Sequence, residues 1–149
     1  MKPYEPQSIE PKWQKVWADE KAFEVSNPEP GEARELPKSY VLEMLPYPSG
    51  TLHMGHMLVY TIGDVVTRFR SRNGMRVLHP QGFDSFGLPA ENAAISEGVH
   101  PRVSTERSIA TITRSMRRIG WAYDWSRLLS TNQPEYYRWQ QWQFLEFYE

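Results

Sequence analysis

Two imidazoles, His53 and His56, stand three residues apart with Gly55 between them, inside the string PYPSGTLHMGH that runs from Pro46 to His56. By type and spacing they are the residues best suited to chemistry in this chain. If a helix starts here, both rings point to one side of its first turn. A helix amino end offers unpaired N–H groups and the positive end of the helix dipole, so it favours an anion and disfavours imidazolium. Both rings are therefore expected to be neutral in the empty site. A polyphosphate alongside reverses that balance and lets the rings donate hydrogen bonds where negative charge gathers. Gly55 leaves room for a flat ring against the backbone. The combination suits a nucleoside triphosphate, with its base over the glycine and its phosphates under the imidazoles.

Other chemistries fit less well. A zinc site needs about four ligands, or three and a water, and neither a cysteine nor an HExxH pattern supplies them. No metal site is expected. The GxxxxGK[ST] loop that cradles phosphates elsewhere is absent. In a second string, GFDSFGLPAENAAI (Gly82 to Ile95), Asp84 is either a turn former or a carboxylate placed to meet a cation.

The elements that must position these residues are legible from periodicity and punctuation. SIEPKWQKVWADEKAF reads as a first helix capped by Ser8, with Pro11 in its first turn and Trp13, Val16 and Trp17 on one face. Ser26 to Lys38 is a connector rich in Pro, Gly and Glu. SYVLEML (Ser39 to Leu45), bounded by prolines and holding Glu43, reads as a buried strand. Prolines force an extended exit from it, and Gly50 permits a tight turn. A helix then carries Leu58, Ile62, Val65 and Phe69 at helical spacing and ends at Asn73-Gly74. Met75 to His79 suits a second strand, which completes a βαβ unit with parallel strands. A turn-rich loop leads into a short helix. The next helix has Ser104 or Thr105 as cap, Ile109, Ile112, Met116 and Ile119 as its stripe, and Gly120 at its end. An aromatic connector, WAYDWSRLL, precedes a last helix opening near Asn132 and Pro134. The order implies an open, mostly parallel α/β sheet, in which ligands sit at the carboxyl ends of strands. The histidine string lies at such a position.

The 149 residues suffice for one domain with a real core, and the net charge of −1 gives no global argument for a nucleic-acid or membrane surface. The absence of cysteine fits a reducing compartment. No run reaches the roughly 18 apolar residues needed to span a bilayer, and the first residues resemble neither a secretory nor a transit peptide. A cytoplasmic location is expected. The last residues, YYRWQQWQFLEFYE, run within an apolar periodic segment without a closing signal, which reads as a cut and not a natural terminus. Arginines cluster in TRFRSRNGMR (Arg68, Arg70, Arg72, Arg76) and TRSMRR (Arg114, Arg117, Arg118), either as solvated helix faces or as contacts to RNA phosphates.

Read together, PYPSGTLHMGH, GFDSFGLPAENAAI, YDWSR (Tyr123 to Arg127) and PEYYRW (Pro134 to Trp139) resemble the amino-terminal part of the class I aminoacyl-tRNA synthetases, in the wording of the bacterial leucyl family. The resemblance covers essentially the whole chain. It implies a Rossmann-like (HUP-type) parallel sheet with flanking helices, of which residues 38–149 are the first part and residues 1–37 an amino-terminal helix and connector. It implies activation of leucine by ATP, usually with magnesium, to leucyl-adenylate, followed by transfer to tRNA(Leu). His53 and His56 would stabilise the transition state. Pro46, Tyr47, Pro48, Ser49, Gly50, His53, Gly55 and His56 would line the ATP site. Met44, Leu45, Tyr47 and Asp84 would hold leucine, Asp84 by its ammonium; from the residues alone Tyr47 is equally a packing side chain.

Three departures from the family pattern matter. The lysine-rich KMSKS loop is absent, as are the editing insertion and the anticodon-binding helices, so the piece alone is expected to be inactive. Met57, Leu58 and Val59 replace the polar or basic residues often found after the histidine signature. Two rivals remain: a small nucleotidyltransferase using the same H-x-G-H logic, and a non-catalytic module that binds tRNA or protein.

Overall fold

A computed structural model of the chain describes residues 3–29 and 36–149. The middle of the Pro/Gly/Glu connector lies outside those residues. In chain order the elements are α1 (Pro6–Asp19), β1 (Lys38–Tyr40), α2 (Met54–Arg72), β2 (Arg76–Leu78), β3 (Gly82–Phe83), α3 (Leu88–Glu97), α4 (Pro101–Ile119), a 3-10 turn (Trp125–Arg127), β4 (Leu129–Ser130) and α5 (Pro134–Tyr148).

The βαβ unit is present. β1 and β2 pair in parallel, Ser39 opposite Val77, with α2 as the crossover element. A second parallel pair joins β3 to β4, Phe83 opposite Ser130. Sequence reading missed both of these two-residue strands, which are too short to show periodicity. The pairing continues past the regular strands: Asp124 N donates to the His79 carbonyl (2.8 Å), Leu129 N to Gln81 (3.2 Å) and Thr131 N to Phe83 (3.1 Å). The segment after α4 thus runs alongside the exit of β2 and closes over the core.

That core is aromatic. Tyr60, Phe83, Ile112, Met116, Trp121 and Tyr123 form one buried cluster. Tyr60, Trp121 and Tyr123 meet edge to face at centroid separations of 5.4 to 6.3 Å, the arrangement favoured by ring quadrupoles.

Several expectations need correction. α1 starts a turn early: Glu5 is the residue before it, Pro6 occupies its first turn, and Ser8 lies inside, with its hydroxyl donating to the Glu5 carbonyl at 3.1 Å. Pro11 is also interior. α4 is capped by His100, whose Nδ1 accepts Arg102 N at 3.2 Å, and Ser104 and Thr105 are buried within it. Gly120 does end α4, at φ +85°, where a side chain would be strained. Gly50 adopts no left-handed conformation, so the exit loop turns without that freedom. Residues 39–45 are not uniformly buried: Ser39 and Val41 are covered, whereas Tyr40, Leu42 and Met44 are exposed, because the ribbon carries α2 on one face only.

The largest correction concerns α2. Leu58, Ile62, Val65 and Phe69 are all more than half exposed, and the buried face is Tyr60, Gly63 and Thr67. That face packs on a polar group. The Glu43 carboxylate lies so close to Gly63 that a methyl there would fall 2.5 Å from Cδ and nearer still to Oε1. Behind it, Glu43 Oε2 accepts the Tyr123 hydroxyl (2.7 Å) and meets His79 Nε2 (3.1 Å), while His79 Nδ1 meets Thr67 Oγ1 (2.9 Å) and the Ala122 carbonyl (3.1 Å).

Candidate active site

The exit of β1 delivers Met44, Leu45, Pro46 and Tyr47 to one wall of a cleft of about 540 Å³, and Asp84 and His56 supply others. Thr131, Tyr136 and Gln140 complete it from β4's end and from α5. The four residues assigned to leucine and three of those assigned to ATP (Pro46, Tyr47, which is in both sets, and His56) therefore converge on one space. Asp84 is fixed to the β1 exit through its own main chain, its N–H donating to the Pro46 carbonyl at 3.1 Å.

His53 is the N-cap of α2 and His56 sits in its first turn. Each imidazole is used as a cap. His53 Nδ1 accepts Gly55 N at 3.1 Å, and His56 Nδ1 accepts His53 N at 3.2 Å. A main-chain N–H can only donate, so both Nδ1 atoms are unprotonated acceptors, and each neutral ring must carry its hydrogen on Nε2. Two of the free amides expected to hold an anion are thereby already taken, and the Nε2–H groups stand in their place. The rings lie 3.9 Å apart, centroid to centroid, and His56 stacks on Tyr60 at 5.7 Å and 15°. Burial, with the neighbouring His53 adding to it, holds His56 below its ordinary pKa, which favours the neutral form.

Gly55 does admit a flat ring, but the ring against it here is His53's own: a Cβ at Gly55 would meet His53 Cε1 at 2.9 Å. Pro48 is buried, whereas Ser49 and Gly50 are exposed and line no part of the cleft. Thr131 and Gln140 were invisible to sequence reading. Thr131 Oγ1 accepts Ser85 N at 2.8 Å and so orders the turn just after Asp84. Tyr136 belongs to the PEYYRW string, which gave its neighbourhood but no role.

The first arginine cluster is largely spent on the fold. Arg68 pairs with Asp64 (2.9 Å), donates to the Gly120 carbonyl (2.7 Å) and covers the rings of Trp17 and Phe23. Arg70 donates to Ser39 Oγ and Arg76 to the Ser26 carbonyl, both at 2.6 Å. In the second cluster Arg118 pairs with Glu10 (2.8 Å) and Arg117 covers Trp125. Neither is a bare solvated face.

Comparison with known proteins settles the family. The profile of tRNA synthetases class I (M) matches residues 39–149. The chain belongs to the class I tRNA synthetases. Leucine--tRNA ligase of Thermotoga maritima is 52% identical over 149 residues, all of this chain and 18% of that enzyme. The enzyme of the same name from Thermosynechococcus vestitus is 53% identical over 146 residues, 98% of this chain and 16% of that enzyme. The fold matches that of LeuRS in the ternary complex of Agrobacterium radiobacter K84 agnB2 LeuRS, tRNA and LeuAMS. There the TM-score is 0.89 and the identity 42%, over 98% of this chain and 18% of that one. Methionyl-tRNA synthetase of Mycobacterium tuberculosis, with a TM-score of 0.58 and 23% identity over 67% of this chain and 19% of that one, shares the fold. This synthetase chain thus spans under a fifth of the length of the curated relatives it matches. Its Rossmann-like character is shown by these likenesses, although the described residues contain two small parallel pairs and no continuous sheet. No helix among the described residues is long and apolar enough to cross a membrane.

Proposed function

We propose that this chain is the amino-terminal portion of a leucine--tRNA ligase and carries the ATP and leucine subsites of its activation step. Residues 38–149 would form the first part of the catalytic domain, with residues 1–37 as an amino-terminal helix and connector. The observation that supports this most directly is the single cleft shared by Met44, Leu45, Tyr47, His56 and Asp84.

In the reaction, a leucine carboxylate oxygen attacks the α-phosphorus of ATP in line. An O–P bond forms, the bond to the β-phosphate bridging oxygen breaks, and pyrophosphate leaves with that electron pair. Little covalent work falls to the protein, so positioning and charge stabilisation carry the rate. Asp84 would hold the leucine ammonium through a charge-assisted hydrogen bond. His53 and His56, their Nδ1 atoms already engaged, would present Nε2–H donors to the phosphate oxygens. Donors fixed in advance cost no reorganisation as charge builds. Pro46, Tyr47, Pro48, Ser49, Gly50 and Gly55 would shape the nucleotide side around them. No group of three or more His, Asp or Glu side chains among the described residues could hold a metal ion, so magnesium would arrive on the phosphates of ATP. The leucyl group would then pass to the terminal ribose of tRNA(Leu), in the cytoplasm.

The test is exchange of labelled pyrophosphate into ATP by the longer protein that contains this chain. Leucine should stimulate it far above any other amino acid. Stimulation by a different amino acid, or none by any, overturns the reading.

A further inference from the structure

The buried polar group behind the cleft is unused by the chemistry above. Tyr60 is fully buried, and its hydroxyl donates to the Met44 carbonyl at 3.1 Å. Its ring lies nearly parallel to His56 on one side and edge-on to Trp121 and Tyr123 elsewhere. One side chain therefore touches both the residue assigned to leucine and the residue assigned to phosphate. Burial, with the nearby Glu43 charge adding to it, raises the phenol's pKa well above its ordinary value, so the hydroxyl stays a donor.

Glu43, the residue before Met44, is held from behind. Its Oε2 takes the Tyr123 hydroxyl and His79 Nε2. On its far side His79 Nδ1 meets the Ala122 carbonyl, so the ring is held at both nitrogens, and the two hydrogen bonds to Oε2 offset the cost of burying that oxygen. Gly63 gives the carboxylate its space on α2, and Thr67 engages the far side of His79. Across proteins, packed apolar side chains often replace a buried polar pair without loss of stability. A polar bracket at that depth serves geometry, and the main chain it fixes is Met44.

We propose that Tyr60 is a positioning residue that ties the leucine side of the cleft to its phosphate side, through its hydroxyl on the Met44 carbonyl and its ring against His56, with Glu43 and His79 bracing the same main chain from behind. This rests on the leucine-activation reading above.

Pyrophosphate exchange by the full-length enzyme tests it. Tyr60→Phe keeps the ring and loses only the hydroxyl. KM for leucine should rise about five- to tenfold, with KM for ATP and kcat within about twofold of wild type. Tyr60→Leu also removes the ring and should lower kcat by roughly tenfold or more. Glu43→Gln loosens Met44 from behind and should raise KM for leucine alone; it decides the matter if the Tyr60 variants fail to fold. An unchanged KM for leucine, or equal rises for leucine and ATP, overturns the positioning role while leaving leucine activation intact. A wild-type enzyme without leucine-dependent exchange removes the reading of the cleft and this role with it.

Discussion

His56 reaches back along its own helix to accept, on Nδ1, the main-chain N–H of His53 at 3.2 Å. The signature histidines are thus helix caps as well as candidate phosphate donors, and the first use dictates the tautomer for the second.

The titration of His56 should follow. His56 in the empty protein should take up its proton at a pH below the ordinary imidazole value of about 6.5, because burial and then His53 disfavour the cation. The stability that the neutral His56 cap supplies should be present above that value and be lost as pH falls through the lowered one. Nitrogen-15 NMR of the imidazoles should show the Nε2–H tautomer for both, and added ATP should move the His56 midpoint upward. A Nδ1–H tautomer at either ring contradicts the capping geometry.

His56→Ala in the full-length enzyme should lower the rate of adenylate formation by roughly a hundredfold, as loss of one oriented transition-state donor does elsewhere. Leucine binding, measured by calorimetry, should change little. Loss of the cap should cost about 0.5–2 kcal/mol of stability. Parallel loss of leucine binding and fold would reduce the residue to its capping role.

Asp84→Asn should raise KM for leucine by about ten- to a hundredfold, the worth of a hydrogen bond to a charged group. KM for ATP should stay put. Asp84 meets Pro46 through its main-chain N–H, so the substitution should leave that tie and the melting temperature unchanged.

Gly63→Ala should destabilise the chain by about 2–4 kcal/mol, since the new methyl must displace a carboxylate held by two partners. Urea unfolding followed by tryptophan fluorescence measures it. Adding Glu43→Ala should relieve part of the loss, and strict additivity of the two would refute the clash as its cause.

The 149-residue piece alone should show little or no leucine-dependent exchange, and the exposed stripe Leu58, Ile62, Val65 and Phe69 should make it self-associate. Ile62→Glu should suppress association, measured by light scattering, without altering the circular dichroism of the piece.

Those same four residues show where sequence reading stops. Periodicity identified α2 and its end at Asn73, but an apolar stripe does not say what will cover it. The covered face is Tyr60, Gly63 and Thr67, which pack on Glu43 and His79. By composition that face resembles a solvent face, so no hydropathy argument could have chosen it. Strings with fixed spacing fared better. PYPSGTLHMGH and GFDSFGLPAENAAI, with the end of SYVLEML, contain Tyr47, His56, Asp84 and Met44, and the fold gathers these four along one cleft. Thr131 and Gln140 come from distant segments with no local mark, and only the docking of β4 and α5 brings them in.

Val25 donates its N–H to Asp124 (3.0 Å) and receives Arg127 on its carbonyl (2.6 Å), a stitch between residues about a hundred positions apart. On a ribosome adding about 5–20 residues per second, the first helix and its trailing arm must therefore wait some 5–20 s before their seat has been synthesised. Early in that interval, before Arg68 is made, Trp17 and Phe23 have little but each other for cover, which leaves this arm open to whatever chaperone attends the exit tunnel.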